Sequence, residues 1–594
     1  MDKIDYGDAS LYLLTDGRPV TSLAAFPSPL EEYRAAFIER EQPFLEYYGF
    51  QGQEIEKKSF TRGQFWDLAC AAADCLEEKG LSRGDRVVHC FSANNLYDLV
   101  FRLAAVLTGC VPVTVNWQAD SDETIVYKAK VTDARLILYD EDFADRLEKM
   151  KPQLMPVTFL EAGRVAECPG SCRAESPPSD YEDERFIIFT SGTTGRPKGV
   201  SLSHRSYLAT RLTFEQYFGL AEDTPLDLLL ANPLHHTNSS ALADWGMRRP
   251  GATIHLLSRY ATAYWKLLVE VAGREGHRLV APMVSRHIDF LESLATGAKL
   301  PVAEASLKEA LRRTHILIGS APVGPTTVKR ILNFSARPPH VRFGSTETCL
   351  QVMATPSTLP VDALTEAFEA GWSHCHQGEK TAGYYIGREH FPFTRLRVVV
   401  SVDPQSRGYL RPCEVGEPGY LITQGPNVMS GYVGNPQATE AVFREGWYTG
   451  LGDIVFTLKN RHDGQLDYYW MSRESALLIR GGANYAYDQL ATELSRFVTE
   501  QFQLKPEQFQ LAVVGLRLES EHEDSCCVTI ELDDKAAGAE AELKADFIRK
   551  AAGMASKGAH PDYLRFGQIP RSFKGEILYP QLKREFLHSL ENGE

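Results

Sequence analysis

Residues 186–204 read FIIFTSGTTGRPKGVSLSH, and this stretch decides the fold. Phe186 to Phe189 form a short apolar, β-branched run of the kind that makes a buried strand. The run empties into a loop of Gly, Ser and Thr that begins at Thr190. Gly192, Gly195 and Gly199 permit a positive φ and a close backbone approach to a ligand. Ser191, Thr193 and Thr194 supply hydroxyl donors, and Lys198 supplies a cation. Converging N–H groups, hydroxyls and one positive charge suit the anionic oxygens of a polyphosphate. The spacing does not fit the kinase-type P-loop, which needs four residues between its first glycine and a Gly-Lys-Ser/Thr.

Around this loop lies a chain of 594 residues, too long for one core. Hydrophobic residues make up 43% and charged residues 24%, ordinary values for a globular protein. A net charge of −15 without a basic arm or stripe argues against nucleic acid as a partner. The N-terminal residues carry early acids and no apolar run of signal-peptide length. No run of about 18 apolar residues predicts a membrane span, so a cytoplasmic protein is expected. Eleven cysteines are scattered along the chain, and Cys168 and Cys172 flank a PGS loop. Two cysteines without further donors make a poor zinc site, so free thiols are the expectation.

Along the chain, residues 1–58 read as an irregular, aromatic-rich lead-in. Thr61 opens a helix with Gln64 in the capping-box position. Phe65, Leu68, Ala69, Ala72 and Leu76 mark its apolar face, and Gly80 ends it. A strand over 86–91, a helix near 95–109, and strands at 111–115 and 135–139 then alternate. This is the pattern of a mostly parallel sheet with helices on both faces. The alternation resumes after the phosphate loop, with strands near 278–284, 315–319 and 340–343. From about 394 the strands become short, predicting a smaller β-rich layer. A boundary near 473–476 precedes a helix over 487–503, strands QLAVVG and CCVTIEL, and a helix over 539–556.

Taken together, the 186–204 stretch, NPLHHTNSS (232–240), IGSAPV (318–323), FGSTET (343–348), WYTGLGDIVF (447–456) and RGGANYAYDQL (480–490) resemble the adenylate-forming superfamily. That superfamily comprises acyl-CoA synthetases, adenylation domains of peptide synthetases and luciferases, and the resemblance covers roughly residues 60 to 586. It implies that Thr190, Ser191, Gly192, Thr193, Thr194 and Lys198 bind phosphates. It implies that Gly319, Ser320, Ala321, Phe343, Gly344 and Ser345 line the adenine side, with Phe343 stacked on the base. Thr346 would touch the α-phosphate, Glu347 would hold Mg²⁺, and Asp453 and Arg473 would orient the ribose. His236 falls where the superfamily's histidine lines the acyl pocket and thiol tunnel. As a metal pair His235 and His236 are disfavoured, because neighbours on a strand point apart and no third ligand is evident. Gly481 and Gly482 would leave room for a pantetheine arm.

Three departures stand out. Ser475 and Ala476 occupy the place of the usual hinge acid, and Tyr487 replaces a helix-opening proline. The C-terminal motif IPRSFKGEILYPQLK (569–583) carries Glu576 after Gly575, where the superfamily's catalytic lysine stands. A carboxylate there adds repulsion of up to ~4 kcal/mol at contact distance at an effective dielectric near 20. The lost donor forfeits roughly another 3 kcal/mol. Lys574, two residues upstream, shares a face with Glu576 in an extended segment and is the candidate substitute.

The resemblance therefore predicts an α/β fold: a large N-terminal body of α/β subdomains plus a β-rich layer (1–473), and a small mobile α+β lid (474–594). It predicts ATP-dependent activation of a small carboxylic acid, followed by acyl transfer to the CoA thiol, with ATP, Mg²⁺ and CoA as ligands. An amine or carrier-protein thiol is the alternative acceptor. A nucleotide- or acyl-adenylate-binding protein without useful turnover is the alternative that Glu576 raises.

Overall fold

The computed structural model describes residues 26–51, 54–167, 179–190, 197–320, 323–376, 379–380, 383–473, 477–480, 483–533, 536–554, 557–571 and 577–592. The loop residues 191–196, Ala321, Ser475, Ala476, Gly481, Gly482, Lys574 and Glu576 lie outside them, and the Arg473 side chain is likewise not described.

Two large sheets organise the body. The first has seven strands in the order Gly431–Tyr432, Lys198–Ser203, Glu184–Thr190, Val111–Thr114, Arg86–Cys90, Leu136–Tyr139, Thr158–Glu161. From Glu184–Thr190 to Thr158–Glu161 neighbouring strands run parallel. Their runs VPVT, RVVHC and LILY are continuously apolar or nearly so, as strands covered on both faces require. The expected helix behind them spans Arg62–Glu78, with Thr61 and Gln64 forming a complete capping box. The next helix, Leu96–Thr108, is opened by Asn95 and closed by Gly109 at φ 74°.

The second sheet has fifteen strands. Its parallel part places Ala252–Leu257, Leu226–Leu230, Arg278–Met283, Thr314–Ile318 and His340–Phe343 side by side. Beyond His340–Phe343 the pairing turns antiparallel through Met353–Ala354, Tyr384–Glu389, Leu466–Arg473 and Asp453–Lys459, the expected β-rich layer. The loops that follow Thr190, Leu230, Ile318 and Phe343 all leave the C-terminal ends of parallel strands, the edge at which open α/β sheets bind ligands.

Two expectations need correction. The described part of the lead-in, from residue 26 on, is not irregular: Pro29–Ala36 is a helix, and Pro43–Gln51 with Glu54–Thr61 is a hairpin that extends the second sheet beside Ala252–Leu257. Its outer strand, EIEKKSFT, is charged and exposed, so its local composition hides a strand that only edge pairing creates. Among the cysteines, Cys90, Cys110, Cys349, Cys375, Cys413, Cys526 and Cys527 are free thiols as expected. Cys70 and Cys75 are instead each disulfide-bonded; both are buried in the Arg62–Glu78 helix.

The C-terminal domain has a hydrophobic core of its own, running from Leu478 to Phe586. Helices Tyr487–Phe502, Glu540–Met554 and Tyr579–Asn592 accompany a sheet of Phe509–Leu516, Ser525–Leu532 and Tyr563–Phe566. Tyr487 does open its helix, and its buried hydroxyl accepts the Gly515 N–H at 2.8 Å. The turn between the first two strands docks on the body. There His522 Nε2 meets Asp289 Oδ2 at 2.9 Å, and Thr326 Oγ1 donates to Glu521 Oε1 at 2.6 Å. The Arg517 guanidinium lies 4.9 Å over both the Tyr384 and Trp470 rings. Among the described residues no helix is long and apolar enough to cross a membrane.

Candidate active site

The 184–203 stretch supplies two paired strands: Glu184–Thr190 runs antiparallel to Lys198–Ser203, and Thr190 stands opposite Lys198. Gly199 does not use a positive φ. It pairs with Phe189, and a Cβ there would come within 3.0 Å of the Phe189 ring, so its smallness serves packing inside the hairpin. On the far side of Lys198–Ser203 the short strand Gly431–Tyr432 adds in, with Tyr432 opposite Val200. This register brings the Tyr432 ring under Lys198, whose Nζ lies 5.0 Å from the ring centroid.

The same tyrosine reaches the segment after His340–Phe343. Its hydroxyl donates to Glu347 Oε1 at 3.2 Å, and the Met429 N–H donates to the Glu347 carbonyl at 2.7 Å. Burial and the neighbouring Glu347 carboxylate push the Tyr432 phenol well up, so it stays a proton donor. Glu347 lies in the 3-10 turn Thr346–Thr348, half-buried. Gly344 is obligatory on steric grounds, since a Cβ would sit 2.4 Å from the Leu350 carbonyl. Phe343 ends the strand half-buried, and Ser345 Oγ is buried without a partner among the described residues.

Thr346 Oγ1 lies 3.0 Å from Thr237 Oγ1, which couples this turn to the histidine segment. Residues 232–236 form a turn rather than the strand expected from sequence, and the helix Thr237–Arg248 starts at once. Pro233 has no N–H for a ladder, and its carbonyl accepts the His236 N–H at 3.1 Å. The two imidazoles consequently do not point apart; their centroids are 4.3 Å from each other. Desolvation pushes His236 down to about 4, with Asp120 opposing and Lys128 assisting, so the ring is neutral at physiological pH.

The turn is clamped by the helix behind it. Asn94 accepts the Leu234 N–H at 2.7 Å and donates to the carbonyls of Asn232 and Leu257 at 3.1 and 3.0 Å. Arg102 donates to the Leu234 carbonyl at 2.9 Å and to Ser240 Oγ at 2.8 Å, while its Nε holds Asp98 at 2.8 Å. Burial would raise the Asp98 carboxyl, but Arg102 and His89 outweigh it and hold it down at about 2.

Gly319 opens the loop after Thr314–Ile318, and Ser320 follows at φ 72°. Asp453 begins a strand of the antiparallel layer directly opposite Arg473. Its buried carboxylate accepts the Trp470 Nε1–H at 2.8 Å. The structure thus gathers Thr190, Lys198, Glu347, Thr346 and His236 through consecutive contacts, and sets Asp453 and Arg473 on a separate strand pair. Tyr432, the residue that joins the hairpin to Glu347, was missed by sequence reasoning, although it closes the apolar-polar stretch GYLITQGPNVMSGY (419–432).

Loops gathered at the C-terminal ends of parallel strands, a phenol between a lysine and a carboxylate, and a separate C-terminal domain are in keeping with the class of adenylate-forming enzymes. The chain belongs to the AMP-binding enzyme family, whose model matches residues 39–433. Human mitochondrial medium-chain acyl-CoA ligase ACSF2 is 25% identical over 572 residues, covering 89% of this chain and 83% of that protein. The 2-succinylbenzoate–CoA ligase of Bacillus licheniformis is 26% identical over 423 residues, covering 71% of this chain and 76% of that protein. Among solved structures, a double mutant of Bacillus subtilis o-succinylbenzoate CoA synthetase superposes with a TM-score of 0.69 at 20% identity, over 94% of this chain and 98% of that one. ATP-bound MatB of Rhodopseudomonas palustris superposes with a TM-score of 0.60 at 20% identity, over 94% and 98%.

Proposed function

We propose that this chain is an AMP-forming acid–CoA ligase, a reading carried by the bridge Lys198–Tyr432–Glu347. In the first step the acid's carboxylate oxygen attacks the α-phosphorus of ATP and pyrophosphate leaves. In the second, the CoA sulfur attacks the acyl carbonyl of the adenylate and AMP leaves as the thiol gives up its proton. Lys198, with Thr190, Ser191, Gly192, Thr193 and Thr194, holds the phosphates against their mutual repulsion. Thr346 touches the α-phosphate, a role supported by the contact of its hydroxyl with Thr237 Oγ1 at 3.0 Å. Gly319, Ser320, Ala321, Phe343, Gly344 and Ser345 border the adenine, and Asp453 and Arg473 take the ribose. His236, uncharged, lines the path of the acyl group and thiol without attracting the phosphates. Lys574 supplies the positive charge that Glu576 cannot.

Glu347 fits a magnesium site: its carboxylate accepts from Tyr432 and retains lone pairs, and magnesium needs only one or two carboxylates beside phosphate oxygens. When bound there, the ion would offset the charge of the leaving pyrophosphate. We divide the chain at 473/474, the C-terminal part closing differently for the two steps.

The names of the relatives span medium-chain and aromatic acids, so the acid is not assigned from them. Acid-dependent exchange of pyrophosphate into ATP, followed by thioester formation with CoA, tests the proposal. ATP binding without exchange for any acid would instead favour the non-catalytic binding protein raised by Glu576.

A further inference from the structure

We infer that Arg342 selects an acid carrying a second anionic group, a carboxylate remote from the one activated. The inference rests on the ligase reading above and adds the substrate class.

Arg342 lies in His340–Phe343, immediately before the Phe343–Glu347 segment, and only 5% of it is exposed. Every other deeply buried arginine among the described residues has an evident partner. Arg102 holds Asp98, Arg185 holds Asp244, Arg248 holds Glu32 and Asp244, and Arg249 holds Glu215. Arg205 holds Glu182, and Arg62 donates to three carbonyls. Arg342 alone has none: its Nε and Nη2 are buried without a hydrogen-bond partner. Burial pulls its pKa down to about 9, and no carboxylate among the described residues compensates its charge. A buried cation of this kind is costly unless paired, and a planar guanidinium pairs best with a carboxylate gripped by two N–H groups.

Its position points to a substrate rather than a structural partner. The guanidinium carbon would lie 2.8 Å, and one terminal nitrogen 2.9 Å, from a Cβ placed on Gly319. Only a glycine there lets the arginine lie against that loop. His340 shares the strand face with Arg342 and meets Tyr217 of the His204–Phe218 helix at 2.8 Å. Phe218 of that helix stacks on Trp245 of Thr237–Arg248, the helix whose Thr237 reaches Thr346. Arg342 therefore faces the side of the sheet covered by the helices His204–Phe218 and Thr237–Arg248, which on the ligase reading is the acyl side, at the opposite end of the Arg342–Glu347 segment from the turn assigned to the α-phosphate. Gln351, whose backbone packs against Gly344 two residues from Arg342, has both polar atoms of its amide buried without partners among the described residues.

The test is acid-dependent pyrophosphate exchange with matched pairs, straight-chain and aromatic, of dicarboxylic acids and the monocarboxylic acids of equal length. The wild-type chain should prefer the diacid. Arg342→Met should lower kcat/KM for the diacid by at least about a hundredfold, mainly through KM, and leave or improve the monoacid. Arg342→Lys should retain part of the diacid preference. ATP binding by calorimetry and the melting temperature should be unchanged in both variants. A wild-type preference for monoacids overturns the inference while leaving the ligase reading intact. An equal loss for both acids in Arg342→Met also overturns it, because the arginine would then serve the reacting carboxylate or the fold. No exchange with any acid overturns the ligase reading itself, and this inference with it.

Discussion

Tyr432 donates its hydroxyl to Glu347 Oε1 at 3.2 Å across 85 residues of chain. The contact exists because Gly431–Tyr432 adds to Lys198–Ser203 in one register, with Gly431 opposite Ser201. A one-residue slip would turn the phenol to the other face of the sheet. The strand that carries Lys198 and the turn that carries Glu347 are thereby fixed relative to each other by one ring.

Tyr432→Phe keeps the ring beneath Lys198 and removes the donor. A hydrogen bond to a charged group contributes about 1.5–3 kcal/mol, so pyrophosphate exchange should fall by roughly tenfold or more, with a raised magnesium requirement. Magnesium titrations of exchange in the two proteins check this. An identical magnesium dependence would reduce Tyr432 to a strand-pairing role.

Glu347→Gln and Asp453→Asn should separate metal from ribose. The first should raise the magnesium needed for exchange. The second should weaken AMP binding measured without metal, while keeping an acceptor for Trp470 Nε1. Asp453→Ala removes that acceptor too and should cost about 1–3 kcal/mol of stability, read from denaturation midpoints. If Asp453→Asn changed only the metal requirement, the ribose assignment would fall.

The C-terminal departure should set the adenylation rate. If Lys574 stands in for the lysine displaced by Glu576, Lys574→Ala should slow exchange about a hundredfold with ATP affinity little changed. If the position is simply impaired, Lys574→Ala will be silent and Glu576→Lys will accelerate exchange. Thioester formation from supplied acyl-adenylate should survive both substitutions, as expected if only the first step uses this charge.

Acid should destabilise the fold through its buried histidines. Desolvation holds His236, His287 and His315 down at about 4, and His340 and His390 at about 3. Unfolded histidine takes up its proton near 6.5, so between about pH 6.5 and 4 the unfolded chain binds more protons than the native one. Stability is therefore greatest above that window and declines as pH falls through it, by at most about 1.4 kcal/mol per pH unit for each histidine. Urea midpoints at pH 7, 6 and 5 should decrease in order, and His390→Phe should flatten the slope. A midpoint constant from pH 7 to 5 would refute this.

Local signals were sufficient for much of the fold. The Thr61–Gln64 capping box, the Gly80 stop and the apolar strands at 86–90, 111–114 and 136–139 are decided within a few residues, because caps and buried parallel strands leave their chemistry in adjacent positions. The strand Phe186–Phe189 was legible for the same reason, whereas Glu347 and Asp453 were singled out by the family motifs around them. What only the tertiary structure decided are relations between distant segments. The charged strand Glu54–Thr61 becomes a strand because a sheet edge accepts it. His235 and His236 face each other because Pro233 turns the chain, and Tyr432 meets Lys198 and Glu347 through a sheet register. Arg342 reads in sequence as an ordinary charged residue two positions before a glycine. That it lies buried over Gly319 without a counter-charge depends on the pairing of Ile318 with Val341, which places side chains from separate strands in one layer and which no local pattern encodes.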